Sequence, residues 1–276
     1  IMSKITFIGT GNMGAALAVG VCKAINPADV TIYDHNRYKT EKISRQTGCK
    51  IGENRRQAVK GARYIVLGMK PAVLRKSLQD IIPAIKENVE RVEKQVVISM
   101  AAGISLSDIE EVLNSRGLNL PIIRMLPNTP CEIGSGLIIY GANGLCDESI
   151  CGEVEKMFAP CGIIEKMGEK MIEAASAISG CTPAFVYMFI DALADGAVRC
   201  GVPRAKAIEY ASQVVKGSAE MVLKTGRHPD RLKDAVCSPA GSTIEGVTVL
   251  EEGSFRFLAS DAVYRANVKN SRLGRK

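Results

Sequence analysis

Tryptophan is missing from these 276 residues, and aromatic residues of all kinds make up only 5%. Without a basic stripe interleaved with aromatics, the usual footprint of nucleic-acid binding is absent. The net charge of +7, from 36 Lys and Arg against 29 Asp and Glu, instead suits an enzyme that handles anionic small molecules. Much of the excess lies in "RANVKNSRLGRK", where basic residues cap a last helix. Two histidines, His35 and His228, stand in separate turn-like stretches, and nine cysteines are scattered with no CxxC pair. No metal site is expected from that set, and the odd count reads as reduced thiols in a cytoplasmic protein. No apolar run approaches the roughly 20 residues of a membrane span. Nor is there a basic segment followed by an apolar stretch and cleavage site at the start, so neither membrane insertion nor export is expected. A GxSxG elbow and paired carboxylates are lacking too, which removes serine hydrolysis and glycoside hydrolysis from consideration.

What is present divides into two halves. Residues 4 to about 166 alternate short β-rich runs ("KITFI", "VTIYD", "RYIVLG", "QVVISM", "PIIRML", "GLIIYG", "CGIIEKM") with helical patterns. This alternation predicts an α/β, doubly wound, mostly parallel sheet with helices on both faces. From about 167 the strands vanish. Helical stretches are expected at about 168–200, 204–225 and 242–273, broken by "GCTP", "GVP", "GRHP" and "CSPAGS". The expected domains are therefore 1–166, Rossmann-like, and 167–276, all-helical. Residues 184–199, "AFVYMFIDALADGAVR", are apolar around most of a helix, and a domain of roughly 110 residues has too little interior to bury such helices. A partner subunit, most simply related by a two-fold axis, is expected to cover them.

"KITFIGTGNMGAALAVG" places Gly9, Gly11 and Gly14 as GxGxxG between a predicted strand and a predicted helix. In that context the glycines permit a tight turn, close approach of a pyrophosphate and close packing of helix on strand. Asp34 ends the second strand, where a carboxylate suits the ribose hydroxyls of NAD. Asn36, Arg37 and Lys39 follow, and an Arg there suits a 2′-phosphate. The balance leans to NADPH, with NADH also usable. Lys70 in "LGMKPAV", Ser99 and Ala101 in "SMAAGIS" and Asn128 in "MLPNTPCEIGSG" stand at strand ends and are expected to rim one crevice, with Pro71 and Pro130 fixing the chain direction.

Hydride transfer is the chemistry left for such a crevice. Dehydrogenation of an alcohol wants a general base near the carbinol, and "SGCTPAFVYMFIDAL" offers Asp191 but no Lys. An already protonated C=N needs far less help, being itself the electrophile. Residues 237–247, "CSPAGSTIEGV", are small and hydroxylated and lead into a helix. Such a loop is suited either to a plain N-cap or to holding an anion on the helix N-terminus.

The motifs "FIGTGNMG", "LGMKP", "SMAAGIS", "IRMLPNTP", "SGCTPAFVYMFIDALADGAV" and "HPDRLKDAVCSPAGSTIEGVTVLEEGSFR" resemble, in order and spacing from end to end, those of the pyrroline-5-carboxylate reductase family. That resemblance implies reduction of pyrroline-5-carboxylate to L-proline by NAD(P)H. It also implies a Rossmann-like domain followed by an all-α dimerisation domain, an arrangement like that of 6-phosphogluconate dehydrogenase, in homodimers that often build larger rings such as decamers. It further implies that Gly9, Gly11, Asn12, Met13, Gly14, Asn36, Arg37, Asn54, Met69, Lys70, Pro71, Ala101 and Ala102 contact the nucleotide. Ser238, Gly241, Ser242 and Thr243 would hold the substrate carboxylate, Thr243 through its hydroxyl, and Glu169 would lie beside the substrate, with Thr243 and Glu169 the implied catalytic residues. Two rivals are a 3-hydroxyacid dehydrogenase, which needs a Lys missing between Thr182 and Val198, and a non-catalytic dinucleotide sensor. The sequence departs from the family pattern in "SPAGST", where Ala240 replaces a glycine and is strained if its φ is positive, and in "SGCTPA", with Cys181 and Thr182.

Overall fold

The computed structural model describes residues 4–89 and 95–273; the end of the basic tail, 274–276, lies outside them. The first part alternates β1 (Ile5–Ile8), α1 (Asn12–Ala24), β2 (Val30–Tyr33), α2 (Arg37–Thr47), β3 (Lys50–Ile51), α3 (Arg55–Val59), β4 (Tyr64–Leu67), α4 (Pro71–Val89), β5 (Val96–Ser99), α5 (Leu106–Asn114) and β6 (Ile122–Leu126). Then come β7 (Gly136–Ala142), α6 (Glu148–Phe158), β8 (Gly162–Lys166) and α7 (Glu169–Ser176). The seven strands expected from sequence form, joined by the two-residue β3.

Among the described residues the sheet runs β3-β2-β1-β4-β5-β6-β7-β8. All neighbours are parallel except β6 and β7. Strands β1, β4 and β5 are buried along their whole length, as continuous Val, Ile and Leu runs must be when helices cover both faces. One core gathers Leu17 and Val21 of α1 with Val154 and Phe158 of α6. The other gathers Leu78 and Ile81 of α4 with Ile109 of α5. The strand order reverses direction between β2-β1 and β1-β4, so the crevice for a ligand opens at the carboxyl end of β1.

The reversed pair β7 and β8 sets where the chain leaves the sheet. Lys166 lies opposite Tyr140, which lies opposite Met125 near the end of β6, so β8 finishes level with the carboxyl ends of the parallel strands. Helix α7 starts there and packs Ile172, fully buried, over Gly141, where a Cβ would meet the Ile172 side chain at 2.6 Å. Buried Arg124 of β6 pairs with Glu173 of α7. These ties explain why the compact unit extends past the last strand, comprising Ile1–Gly180 and Ala266–Lys276, while Cys181–Arg265 forms a second unit.

The rest is helical: α8 (Thr182–Arg199), α9 (Arg204–Thr225), α10 (Pro229–Val236), α11 (Ser242–Glu252) and α12 (Phe255–Leu273). Four details differ from expectation. "GCTP" does not break the helix, because a π-helical turn at Ala177–Cys181 carries α7 into α8, and Pro183 follows that irregular turn directly, where the regular hydrogen-bond ladder is already interrupted. The stretch 242–273 is split at Gly253 and Ser254, the latter at φ +58°. Helix α10 was not anticipated. The continuous run Glu169–Arg199 has an 18-residue window of mean hydropathy 1.4, long and apolar enough to cross a membrane by length and composition, although no such run was expected. The second unit has a small interior of Ala194, Ala207 and Ala211. Met188, Leu223, Val249, Phe257 and Tyr264 are exposed.

Candidate active site

The glycine loop is built around one carbonyl. Gly9 has φ +97°, and its N–H donates to the Tyr33 carbonyl at 2.7 Å. A Cβ on Gly14, or on Gly68 after β4, would lie 2.3 Å from the Gly9 oxygen. No side chain fits at either position. A Cβ on Gly11, by contrast, would have nothing within 4 Å. Gly11 is the N-cap of α1 and supplies no side-chain cap, and the first turn carries no acid. The opening N–H groups of α1 are therefore left for an anion beside an open approach. Asn12 is exposed and Met13 half-buried at this end.

Beyond β2, the Asp34 carboxylate accepts from Thr10 N–H at 2.8 Å and from Asn36 N–H at 2.9 Å. Asn36 stands at the N-cap position of α2 without a side-chain cap bond, and Arg37, exposed, pairs with Glu41 at 3.2 Å. Asn54 is exposed at the N-cap of α3, where its side-chain oxygen accepts from Gln57 N–H at 2.9 Å and its amide donors are left for another partner. Met69 is half-buried; Lys70 and Pro71 are exposed at the start of α4.

Three expected rim residues are not on a rim. Ser99 is buried, and its hydroxyl accepts from Ala101 N–H at 3.3 Å. Ala101 packs into the core below α4 and α5, so only its main chain is available to a ligand, whereas Ala102 is exposed. Asn128 is buried, donating to the Ser179 carbonyl at 3.0 Å and accepting from Leu137 N–H at 2.9 Å. Small polar residues at strand ends here fold the loops themselves. Glu169 likewise is not a free carboxylate: it accepts from Leu106 N–H at 2.7 Å, at the start of α5, beside the Ser105–Asp108 capping box.

In the helical unit, α10 ends at Val236 and the chain turns through Cys237–Gly241 into α11. Gly241 N–H donates to the Ser238 carbonyl at 3.0 Å, and a Cβ on Gly241 would lie 2.3 Å from Ser238 Oγ. Gly241 is the N-cap of α11 with no side-chain cap, and Ser242 and Thr243 are exposed on its first turn. Small side chains thus leave a second helix N-terminus open. Ala240 sits at φ +57°, the strained case the sequence raised. Ala240→Gly is expected to raise stability by roughly 0.5–1 kcal/mol, the left-handed penalty less the extra unfolded-state entropy of glycine; chemical denaturation measures it, and a lowered midpoint would show the loop carries no strain.

Sequence reasoning gave no role to the groups bracing this loop. His228 Nδ1 accepts from Asp230 N–H at 3.3 Å, capping α10. Arg256 of α12 reaches Asp230 at 3.0 Å and Glu251 at 2.6 Å, and its guanidinium holds the Asp230 carboxyl below the usual carboxylate range. The signal was "GSFR" directly after "EE", but Asp230 lies 26 residues before Arg256, and spacing gives no sign of that pair.

A glycine loop over α1 at the switch point of a parallel sheet, followed by an all-helical unit, defines a Rossmann-type dinucleotide-binding oxidoreductase. Comparison narrows the class. Residues 169–273 match the family model described as pyrroline-5-carboxylate reductase dimerisation, and residues 4–103 one described as NADP oxidoreductase, coenzyme F420-dependent. The pyrroline-5-carboxylate reductase of Escherichia coli is 37% identical, with 99% of this chain and 98% of that protein covered; that of Arabidopsis thaliana is 34% identical, with 98% and 95% covered. A crystal structure of the Plasmodium falciparum enzyme with NADP bound shares 32% identity and a TM-score of 0.85, covering 99% of this chain and 98% of that one. The chain belongs to the pyrroline-5-carboxylate reductase family.

Proposed function

We propose that this protein reduces 1-pyrroline-5-carboxylate to L-proline with NADPH, NADH also being usable. The observation that carries the reading is full-length identity to named reductases joined to two open, uncapped helix N-termini, one on the glycine loop and one at Gly241. The nucleotide would be held by Gly9, Gly11, Asn12, Met13 and Gly14 at its pyrophosphate and by Asn36 and Arg37 at a 2′-phosphate. Asn54, Met69, Lys70, Pro71, the Ala101 main chain and Ala102 complete its contacts. When bound, NADPH would supply the hydride that the imine carbon of the ring accepts. Ser238, Gly241, Ser242 and Thr243 form the seat of the substrate carboxylate, which the open first-turn N–H groups of α11 and the Thr243 hydroxyl hold while the Gly241 N–H stays on the Ser238 carbonyl. Binding and orientation are the chain's main contribution, since a protonated C=N is already electrophilic. Glu169 serves by fixing the start of α7. In this reading residues 1–166 bind nucleotide and 167–276 bind substrate and pair subunits.

Oxidation of NADPH on addition of pyrroline-5-carboxylate, followed by absorbance, tests the assignment. A protein that binds NADPH but never oxidises it would instead be a dinucleotide sensor.

A second copy of the chain is the natural cover for the exposed apolar residues of α8, α9, α11 and α12, and the match to a dimerisation model over residues 169–273 supports it. The full chain is expected to sediment as a dimer or a larger ring such as a decamer. A monomer at micromolar concentration would overturn this. Dimer burial of Glu169–Arg199 also accounts for its hydropathy without a membrane, and nine free cysteines suit a cytoplasmic protein.

A further inference from the structure

An acid at the end of the second Rossmann strand ordinarily reads the ribose hydroxyls of NAD. In this chain its geometry serves something else. The Asp34 side chain is only 7% exposed. One carboxylate oxygen takes the Thr10 N–H at 2.8 Å; the other takes the Asn36 N–H at 2.9 Å and lies 3.0 Å from His35 Nδ1. With those partners and so little open surface, the carboxylate has no face on which to hold two ribose hydroxyls. Thr10 is the loop residue between Gly9 and Gly11, so Asp34 grips the phosphate loop from behind. Gly9, wedged beside Gly68, fixes one flank of that loop, and Asp34 fixes the next residue.

We propose that Asp34 is a positioning residue for the phosphate-binding loop and takes no part in choosing between NADH and NADPH. Its negative charge is covered and hydrogen-bonded, so an adjacent 2′-phosphate meets little of it. Discrimination at the 2′ position falls to exposed side chains that follow, above all Arg37. This inference rests on the nucleotide reading of the loop and deepens it.

Direct titration of NADPH and NADH by nucleotide fluorescence tests it without requiring turnover. In Asp34→Ala both affinities are expected to fall by a similar factor, about tenfold or more, since two charge-assisted bonds to the loop and strand end are lost. The NADPH-to-NADH ratio should stay within about threefold of the wild type. Asp34→Asn, which keeps an acceptor oxygen for one N–H, should recover part of the loss for both. Selective loss of NADH, tightening of NADPH in either variant, or no change for either nucleotide would overturn the proposal. If Asp34→Ala fails to melt cooperatively, the ratio in Asp34→Asn decides alone. A wild-type protein that binds neither nucleotide would instead bring down the nucleotide reading, and this inference with it.

Discussion

Replacing Thr243 by alanine is expected to lower kcat/KM for pyrroline-5-carboxylate by about one to two orders of magnitude, with NADPH binding unchanged. The removed hydroxyl would bond a carboxylate, and such charge-assisted bonds contribute roughly 1.5–3 kcal/mol. The competing account, in which Thr243 caps its helix, predicts a loss near 1 kcal/mol in stability instead. The N-cap is Gly241, without a side-chain cap, so the melting temperature should hold while turnover falls. Steady-state kinetics and thermal melting on one mutant separate the two: early melting with normal turnover would reduce this stretch to a helix start.

The second large effect is expected at Arg37. Arg37→Ala should raise the KM for NADPH well over tenfold, about 1.4 kcal/mol or more, and leave that for NADH nearly alone. The guanidinium pairs with Glu41 across one turn of α2, with Arg37 78% and Glu41 38% exposed. Exposed pairs of that kind contribute a few tenths of a kcal/mol, so a 2′-phosphate draws the Arg away at little cost. Kinetics with both cofactors check the prediction. Equal changes would move recognition of the 2′ position to another side chain.

What the sequence made legible follows from signals that are local. Continuous apolar runs marked β1, β4 and β5, and glycine spacing between strand and helix marked the nucleotide loop. The helices α8 and α9 stood out by composition and by their terminators; Gly226, at φ +63°, closes α9. Helix α10, "PDRLKDAV", carries few apolar residues, and its first turn depends on His228 and Arg256. The split at Ser254 was hidden because a serine at positive φ has no sequence mark. Long-range hydrogen bonds were hidden as well. Asp34 on Thr10, Glu169 on Leu106 and Asn128 on Ser179 each span more than twenty residues, and spacing along the chain cannot tell whether a polar side chain faces a ligand or a distant main-chain group.

The enclosure of the Gly9 carbonyl by Gly14 and Gly68 bears on how this protein can change over generations. Any side chain introduced at either position collides with main chain, which cannot rotate away, so no sequence of single replacements leads through those positions to a loop of different shape. Variation is cheap at 36–39, where the side chains are exposed and a new residue disturbs nothing beneath it. A lineage of such proteins can therefore drift from one cofactor to the other at the tip of β2 while the pyrophosphate seat stays frozen.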